Sequence, residues 1–282
     1  MTYISSIKQK FQTDLNMIFS KHEISTIWNQ WVVKEILRIS LIEYFSKGDF
    51  ELETKYLSKI TALISHLLKR RPIQYFFGYT YFKDLKIHVN NHVLIPRPET
   101  EELVDLVLSY LKTIDVKRIV DIGVGSGCIS IALKQKINTI VLGLDYSRDA
   151  LNVAIKNSKN HNVDIEYMLI NILNTKDYYN VPKVDVIVSN PPYVLDSEIS
   201  QDSVILHEPY DAIFVDKKDP LVFYRSICVF ANQRLNVGGK MFFEINPNYV
   251  LELKNLIYSF GYSNIEIHKD FYDKKRFIVV SS

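Results

Sequence analysis

The sequence predicts an α/β fold in which a mostly parallel, doubly wound sheet of seven strands follows a small helical bundle. Three observations support this prediction. In the first part of the 282-residue chain, apolar residues recur at helical spacings. A short interval follows in which apolar residues recur at every second position. From there to the end, short apolar runs alternate with helical segments, which is the rhythm of a parallel sheet covered by helices on both faces.

The N-terminal region is predicted to be a bundle of helices. Apolar residues recur three and four positions apart, as in Ile7, Phe11 and Leu15, and Lys47-Gly48-Asp49 marks a turn. We therefore expect a helical domain over residues 1–72 and a β-hairpin linker over residues 73–96. The remaining residues, 97–282, are expected to form the α/β domain.

The strands of the α/β domain are predicted from short apolar runs bounded by turn residues. They are placed at residues 119–122, 139–145, 164–169, 184–189, 240–245, 265–268 and 277–281. Two of the intervening helices are placed at residues 219–232 and 248–260. The last two strands lie too close in sequence for a helical crossover, so we expect them to pair as an antiparallel hairpin at the edge of the sheet.

Composition limits the possible functions. The 34 basic and 32 acidic residues leave a net charge of +2, which provides no general field for wrapping nucleic acid. Two cysteines indicate no disulfide framework and suit a reducing cytosol, and their surroundings predict no metal site. No apolar run approaches the roughly 18 residues that span a membrane, and the first residues do not resemble a signal peptide. We expect a cytoplasmic protein without membrane contact.

The most informative motif is Asn190-Pro191-Pro192-Tyr193, which directly follows a predicted buried strand. Two successive prolines cannot continue a central strand because neither offers an N–H to the ladder. The chain must therefore leave the sheet at its carboxyl edge, where α/β sheets bind ligands. The Asn190 side-chain oxygen and the Pro191 carbonyl can accept the two N–H bonds of a planar NH2 group, and Tyr193 can pack on its plane. By itself the motif is equally compatible with a structural proline turn.

Glycines provide the second signal. Only nine occur in the chain, yet Gly123, Gly125 and Gly127 fall within five residues, between an apolar strand and an opening helix. Such a turn needs positive φ angles or close backbone approach, and the following helix offers free N–H groups. The spacing lacks the final glycine of the dinucleotide fingerprint, since Cys128 stands there. The loop therefore favours a mononucleoside ligand over a pyrophosphate.

Asp145 ends the next predicted strand. It follows the glycine loop at about the 20-residue distance expected for a carboxylate that binds ribose hydroxyls. The alternative is that Asp145 caps the helix beginning near Ser147.

These motifs together resemble the class I S-adenosylmethionine-dependent methyltransferases that act on planar amino or amide nitrogens. Two further stretches, Arg71 to Gly78 and Val93 to Glu101, narrow the resemblance. They resemble the peptide chain release factor glutamine methyltransferases. The resemblance covers the chain from about Arg71 onwards, and the helical region before it is compatible but more divergent.

The resemblance implies a Rossmann-like class I methyltransferase sheet of seven strands and S-adenosyl-L-methionine as cofactor. The expected reaction is methylation of the N5 side-chain amide of the GGQ-motif glutamine in class I peptide chain release factors, by a monomer that does not contact nucleic acid directly. The helical region would hold the protein substrate. The cofactor site implied in this way comprises Gly123, Val124, Gly125, Ser126, Gly127, Asp145, Asn171, Ile172 and Asn190. The catalytic and substrate-binding residues implied are Asn190, Pro191, Pro192 and Tyr193, joined for the substrate by Arg97 and Glu208.

Some positions are ambiguous or depart from the family pattern. Thr100 is predicted to cap the helix after Pro98, and the neighbouring carboxylates are assigned to the helix start. Glu208 borders either the substrate or backbone N–H groups, and Glu244 carries a similar ambiguity. Asn171-Ile172 stands where an acid and an aromatic residue are usual. The segment from Glu244 to Asn248 lacks the usual Gly and Gln.

Three other functions remain open. DNA adenine N6-methyltransferases use the same Asn-Pro-Pro-Tyr device, but they need a basic groove, and the only strong basic run here is Lys69-Arg70-Arg71. A glutamine methyltransferase of a ribosomal protein is a closer alternative, although the stretch from Arg97 to Glu101 favours release factors. A cofactor-binding scaffold without activity is opposed by the intact glycines, Asp145 and Asn190.

Overall fold

A computed structural model describes residues 2–112 and 116–282. They divide into two compact units. The smaller unit consists of the chain up to Phe77 together with residues 202–207, and the larger unit consists of residues 78–201 and 208–282. The hairpin predicted as a linker therefore groups with the larger unit. The division into domains at residues 72 and 96 stays a prediction.

The smaller unit is helical. Its helices are α1 (Ile4–Leu15), α2 (Lys21–Ile27), a π-helix (Trp28–Leu37), α3 (Leu41–Ser46), α4 (Thr54–Leu68) and α5 (Ile73–Phe77). A capping box between Ser20 and Glu23 starts α2 because each satisfies a backbone N–H of the other. The core contains Trp28, whose indole N–H donates to the hydroxyl of Tyr44 at 3.1 Å.

The larger unit begins with a two-stranded hairpin, β1 (Tyr79–Phe82) and β2 (Leu85–His88). Its main sheet has seven strands. They are β3 (Arg118–Ile122), β4 (Ile140–Asp145), β5 (Glu166–Leu169), β6 (Val184–Ser189), β7 (Leu235–Glu244), β8 (Asn264–Lys269) and β9 (Lys275–Ser281). The spatial order is β5-β4-β3-β6-β7-β9-β8. The first five strands of this order run parallel, and β9 is antiparallel to both of its neighbours.

Helices cover the sheet. They are α6 (Pro98–Leu111), α7 (Cys128–Lys134), α8 (Arg148–Asn160), α9 (Val222–Arg234) and α10 (Val250–Ser259). Strand residues such as Val120, Ile187 and Phe243 are fully buried among helix residues of one continuous core. Burial on both faces explains why the central strands are continuous apolar runs rather than alternating ones.

The predicted fold class is confirmed, and the structure adjusts its details. The strand predicted at residues 184–189 has those bounds, whereas β7 begins earlier than predicted, at Leu235. The predicted hairpin is shorter than its interval, because Ile73–Phe77 is helical. The antiparallel pairing of the last two strands is also confirmed. Within the described residues, no helix has the length and apolar character needed to cross a membrane.

Candidate functional site

A cavity of about 220 Å³ lies at the carboxyl edge of the sheet. Residues that follow four successive strands line it, with Gly123 after β3, Asp145 at the end of β4, Asn171 after β5 and Asn190 after β6. Strands β3 and β6 are adjacent in the sheet but distant in sequence, so the cavity lies where the strand order reverses. Ligands of open α/β sheets bind at this position.

The glycine loop forms one wall of the cavity. Gly123 lines it with φ of +78°, and a Cβ added there would meet no atom within 4 Å, so the backbone itself faces open space. Gly127 serves packing instead, because a Cβ there would lie 3.2 Å from the Cβ of Ala154 in α8. Gly125 lines the cavity, whereas Val124 and Ser126, also predicted as binding residues, are buried and do not line it.

Asp145 is held by two backbone N–H groups. Its Oδ2 accepts from Gly125 N and its Oδ1 accepts from Ser147 N, both at 2.9 Å. The helix cap is Ser147, whose hydroxyl accepts from Ala150 N, so Asp145 supports the cap without being it. Burial raises the pKa of Asp145, while its backbone hydrogen bonds lower it. Each carboxylate oxygen has a second lone pair, which leaves acceptors for a ligand hydroxyl pair.

Asn171 and Ile172 line the same cavity. The Oδ1 atom of Asn171 accepts from Leu173 N at 3.0 Å, which closes an Asx turn. The backbone N–H of Asn171 donates to Asp177 at 3.1 Å. The residue that replaces the usual acid is therefore fixed in a polar turn beside the apolar side chain of Ile172.

The Asn190-Pro191-Pro192 segment forms another part of the cavity wall. It leaves the sheet after Ser189, whose hydroxyl donates to the carbonyl of Ile122 in the neighbouring strand at 2.7 Å. The Nδ2 atom of Asn190 donates to the Thr100 hydroxyl at 3.0 Å. Among the residues that the structure describes, no donor reaches Oδ1 of Asn190.

A buried carboxylate lies behind this wall. Glu244 is 1% exposed, and its two oxygens accept from the hydroxyls of Thr100 and Tyr193, each at 2.8 Å. Burial raises the pKa of Glu244, and the two hydrogen bonds lower it. Burial and the adjacent Glu244 raise the pKa of Tyr193 well above its usual value. Tyr193 is not among the residues that line the cavity, and its hydroxyl donates to Glu244. A role in packing on a substrate amide stays a prediction.

The prediction that Thr100 caps a helix is wrong. Helix α6 begins at Pro98, and Arg97 occupies the N-cap position without a side-chain cap. Proline is favoured at the first helical position because its missing N–H has no partner to lose there. Thr100 thus falls inside the first turn, is 3% exposed, and turns its hydroxyl to Glu244. The first turn carries Glu99 and Glu101, whose negative charges interact favourably with the helix dipole.

Arg97 and Glu208, predicted to contact the substrate, contact each other. Arg97 Nη2 forms an ion pair with Glu208 Oε1, and Glu208 Oε2 accepts from Ile95 N at 2.9 Å. Glu208 is 7% exposed. The pair joins the segment before α6 to the loop after β6, both of which supply cavity residues such as Leu94 and Pro209. Direct contact with a substrate stays a prediction.

Sequence reasoning missed how the wall behind Asn190 is built. The sequence predicts a helix cap for Thr100 and leaves Glu244 ambiguous at a strand end, although the two are hydrogen-bonded partners. Asn246 adds support, since its Nδ2 donates to the Tyr193 carbonyl at 3.1 Å. The only available signal was an acid at the end of a core strand, which needs buried donors. No group of three or more His, Cys, Asp or Glu suited to a metal occurs among the described residues.

Comparison with known proteins gives consistent matches. Residues 101–208 match the family model "Methyltransferase small domain". A release factor glutamine methyltransferase of Flavobacterium psychrophilum is 36% identical over 99% of each chain. Another from Bacteroides thetaiotaomicron is 32% identical over 99% of this chain and all of the relative.

Solved structures resemble the fold at low identity. The 16S rRNA N2 G1207 methyltransferase of Thermus thermophilus matches with a TM-score of 0.54 at 15% identity, over 72% of this chain and 49% of that one. A methyltransferase of Pyrococcus furiosus matches with a TM-score of 0.52 at 17% identity, over 71% and 89%. At such identities the likeness establishes the class I methyltransferase fold and nothing more specific.

Proposed function

Because the chain belongs to the release factor glutamine methyltransferase family, we propose that it methylates a glutamine of class I peptide chain release factors. The methyl group comes from S-adenosyl-L-methionine and goes to the N5 side-chain amide nitrogen of the GGQ-motif glutamine. A monomeric enzyme that acts in the cytosol without contacting nucleic acid is part of the proposal.

The cavity has the features that the cofactor requires. Gly123 and Gly125 present bare backbone to it, and Asp145 offers free lone pairs for a pair of ribose hydroxyls. Asn171 and Ile172 provide a polar edge and an apolar surface beside them. Bound there, S-adenosyl-L-methionine supplies a methyl group already activated by its sulfonium.

The chemical difficulty lies in the acceptor. An amide nitrogen shares its lone pair with the carbonyl group and is a weak nucleophile, while the amide oxygen is more basic. The protein must therefore select nitrogen over oxygen and hold it in place. Selection by position and by fixed dipoles is an established source of rate enhancement.

The observation that carries the proposal is the orientation of Asn190. Its Nδ2 is bonded to Thr100, so its Oδ1 is the atom left to accept a hydrogen bond at the cavity wall. Oδ1 and the Pro191 carbonyl then accept hydrogen bonds from the two N–H groups of the glutamine NH2, and they repel a carbonyl oxygen at that place. Accepting both hydrogen bonds also increases the electron density on the nitrogen. The nitrogen loses one proton after transfer, so no side-chain base is needed beforehand.

Arg97 and Glu208 act indirectly in this proposal. Their ion pair holds together the two segments that supply Leu94 and Pro209 to the cavity. The apolar, proline-rich wall that results suits the narrow passage of an extended carboxamide side chain.

Methyl transfer with a radiolabelled donor tests the proposal. The purified protein is incubated with a class I release factor, with the same factor carrying Gln→Glu in its GGQ motif, with ribosomal protein, and with DNA. Label is expected on the unaltered factor alone, within the peptide that contains the glutamine. Label on DNA or ribosomal protein, or equal labelling of the Gln→Glu factor, would overturn the proposal.

A further inference from the structure

We propose that Thr100 and Glu244 are positioning residues that fix which atom of the Asn190 side-chain amide faces the cavity. The two ends of an amide, C=O and NH2, are nearly equal in size, so packing alone does not choose between them. The inference deepens the function proposed above and rests on it. It assigns the choice to a chain of three hydrogen bonds.

The direction of each bond follows from counting protons. Glu244 Oε1 accepts from the Tyr193 hydroxyl and Oε2 accepts from the Thr100 hydroxyl. A hydroxyl has a single proton, so Thr100 Oγ1, having given it to Glu244, only accepts. The NH2 end of Asn190 is the end able to donate to it, at 3.0 Å. Oδ1 must therefore point the other way.

Sheet geometry brings these residues together. Strands β6 and β7 are parallel, with Ser189 opposite Phe243, so the next residues along, Asn190 and Glu244, follow side by side at the carboxyl edge. Thr100 comes from the first turn of α6 and closes the gap between them. Thr100 is 144 positions from Glu244 and 90 positions from Asn190. The orientation of the amide is thus a property of the assembled fold.

A reversed amide would present the wrong chemistry. With Nδ2 at the cavity wall, Asn190 would repel the NH2 group of a glutamine and would donate a hydrogen bond to its carbonyl oxygen instead. The enzyme would then hold the atom that must not be methylated. The carboxylate form of Glu244 is what prevents this, since it accepts from Thr100 and cannot donate.

Protonation of Glu244 at Oε2 reverses the direction of this chain of hydrogen bonds. A protonated Oε2 would donate a hydrogen bond to the Thr100 hydroxyl. The Thr100 hydroxyl would then donate to Asn190, which requires Oδ1 rather than Nδ2 to face Thr100. Burial raises the pKa of Glu244. The titratable groups that interact electrostatically with Glu244 are Glu99 from α6, Tyr193 after β6, Tyr224 from α9, Cys128 from α7 and Arg276 from β9. Thr100 and Tyr193 also donate hydrogen bonds to its carboxylate, and Tyr224 donates to its backbone carbonyl. Arg276 favours the carboxylate and Glu99 opposes it, so the Thr100 and Tyr193 hydroxyls give the main support.

Four variants separate positioning from packing. Thr100→Val removes the hydroxyl at nearly constant volume, and Thr100→Ser restores it. Glu244→Gln keeps the shape but adds an NH2 donor, which reverses the hydrogen-bond chain when it points to Thr100 and leaves it unchanged when it points to the Tyr193 hydroxyl. The matched control is Thr139→Val, which removes a hydroxyl bonded to the Val116 carbonyl at 3.1 Å and does not line the cavity. For each variant we would measure kcat, KM for the release factor, cofactor dissociation constant and the pH profile of kcat.

We expect Thr100→Val to lower kcat by roughly tenfold or more, since misplacing a reacting group can cost this much. Glu244→Gln should lower kcat less, because one orientation of its amide keeps the acceptor toward Thr100. The cofactor dissociation constant should change by less than about twofold, because Asp145 and the glycine loop are untouched. Thr100→Ser should recover most of kcat. In the wild type, kcat should fall as the pH falls and Glu244 gains a proton, and Glu244→Gln should lack this acidic limb.

Several outcomes would overturn the inference. One is that Thr100→Val retains the kcat of the Thr139→Val control. Another is that Thr100→Ser loses as much activity as Thr100→Val, and a third is that the acidic limb persists in Glu244→Gln. A measurement without turnover distinguishes this failure from failure of the proposed function. The side-chain NH2 protons of Asn190, followed by NMR, should exchange with solvent faster in Thr100→Val than in the wild type. Equal exchange rates would refute the hydrogen-bond chain from Glu244 through Thr100 to Asn190, even if release factors proved not to be substrates.

Discussion

The two sides of the cavity hold their polar groups in different ways. Asp145 is fixed by backbone N–H groups of Gly125 and Ser147, both supplied by the turns that adjoin it. Asn190 is fixed by side chains, through Thr100 to the buried Glu244. The first arrangement survives most side-chain changes around it because the donors belong to the main chain. The second depends on the identity of every member, so its failure should affect chemistry before it affects binding.

Asn190→Ala should produce the largest effect and tests this difference directly. Removing one preorganised hydrogen-bonding group at a reacting centre typically lowers kcat by roughly 10²- to 10³-fold. We expect a loss of that size in release-factor methylation, with a cofactor dissociation constant within about threefold of wild type. Single-turnover rates and calorimetric titration would give the two quantities.

The matched control for Asn190→Ala is Asn255→Ala. Asn255 is an exposed amide of α10 in the same unit and does not line the cavity. Its kcat should equal that of wild type. If Asn190→Ala turned over at the control's rate, the Asn190 side of the cavity would have no special chemistry and the contrast would fail.

Asp145→Ala should produce the opposite pattern. Loss of a buried acceptor for two backbone N–H groups and for a ligand should weaken cofactor binding by roughly ten- to a hundredfold, or about 1–3 kcal/mol. The rate at saturating cofactor should change much less. Asp145→Asn should be no better, because its NH2 would meet one of the N–H donors that Asp145 now accepts from.

Asp164→Ala provides the comparison for these variants, since Asp164 is exposed in the same unit. An unchanged cofactor dissociation constant in Asp145→Ala would assign the carboxylate to loop structure alone. A loss in kcat as large as that of Asn190→Ala would show that the two sides of the cavity are not separable.

The contrast also explains how far the sequence could predict the molecule. Strand β6 was located to the residue, because a run of apolar residues ending in two prolines has few other interpretations. The glycine loop and Asp145 were found since their chemistry is local, within about 20 residues along the chain. Both depend on backbone geometry that neighbouring residues determine.

The support for Asn190 could not be predicted in the same way. Thr100 near Pro98 has a local interpretation as a helix cap, and that interpretation was wrong because proline itself takes the first helical position. Its actual partner, Glu244, is 144 positions away. Only the pairing of β6 with β7 makes them neighbours, and register is not visible in either strand alone.

The last prediction concerns stability rather than activity, at Asp121, which places a second buried carboxylate near Asp145. Asp121 is the penultimate residue of β3 and is 0% exposed. Its Oδ2 accepts from the Ser130 hydroxyl at 2.6 Å, and its Oδ1 has no hydrogen-bond partner among the described residues. Burial, with a smaller contribution from Asp145, raises the pKa of Asp121 from 3.8 to about 7. The folded protein therefore holds this proton more tightly than the unfolded chain does.

The sign of the pH dependence follows. The stability that this proton contributes is fully present below about pH 4 and is lost as the pH rises through about 7, with a slope of at most about 1.4 kcal/mol per pH unit. Asp121→Asn should remove that slope. Tryptophan fluorescence is unsuitable for the measurement, because Trp28 and Trp31 both belong to the smaller unit.

The two cysteines provide a suitable probe. Cys128 and Cys228 are buried in the larger unit, so their reaction with 4,4′-dithiodipyridine along a urea titration reports the unfolding of that unit. The free energy of unfolding of wild type minus that of Asp121→Asn should decrease steadily between pH 5 and pH 7. Parallel curves would mean that Asp121 keeps an ordinary pKa in the folded protein. Burial of a carboxylate on the glycine-loop side would then destabilise the fold no more than it does on the Asn190 side. There, Glu244 has hydroxyl donors for both of its oxygens.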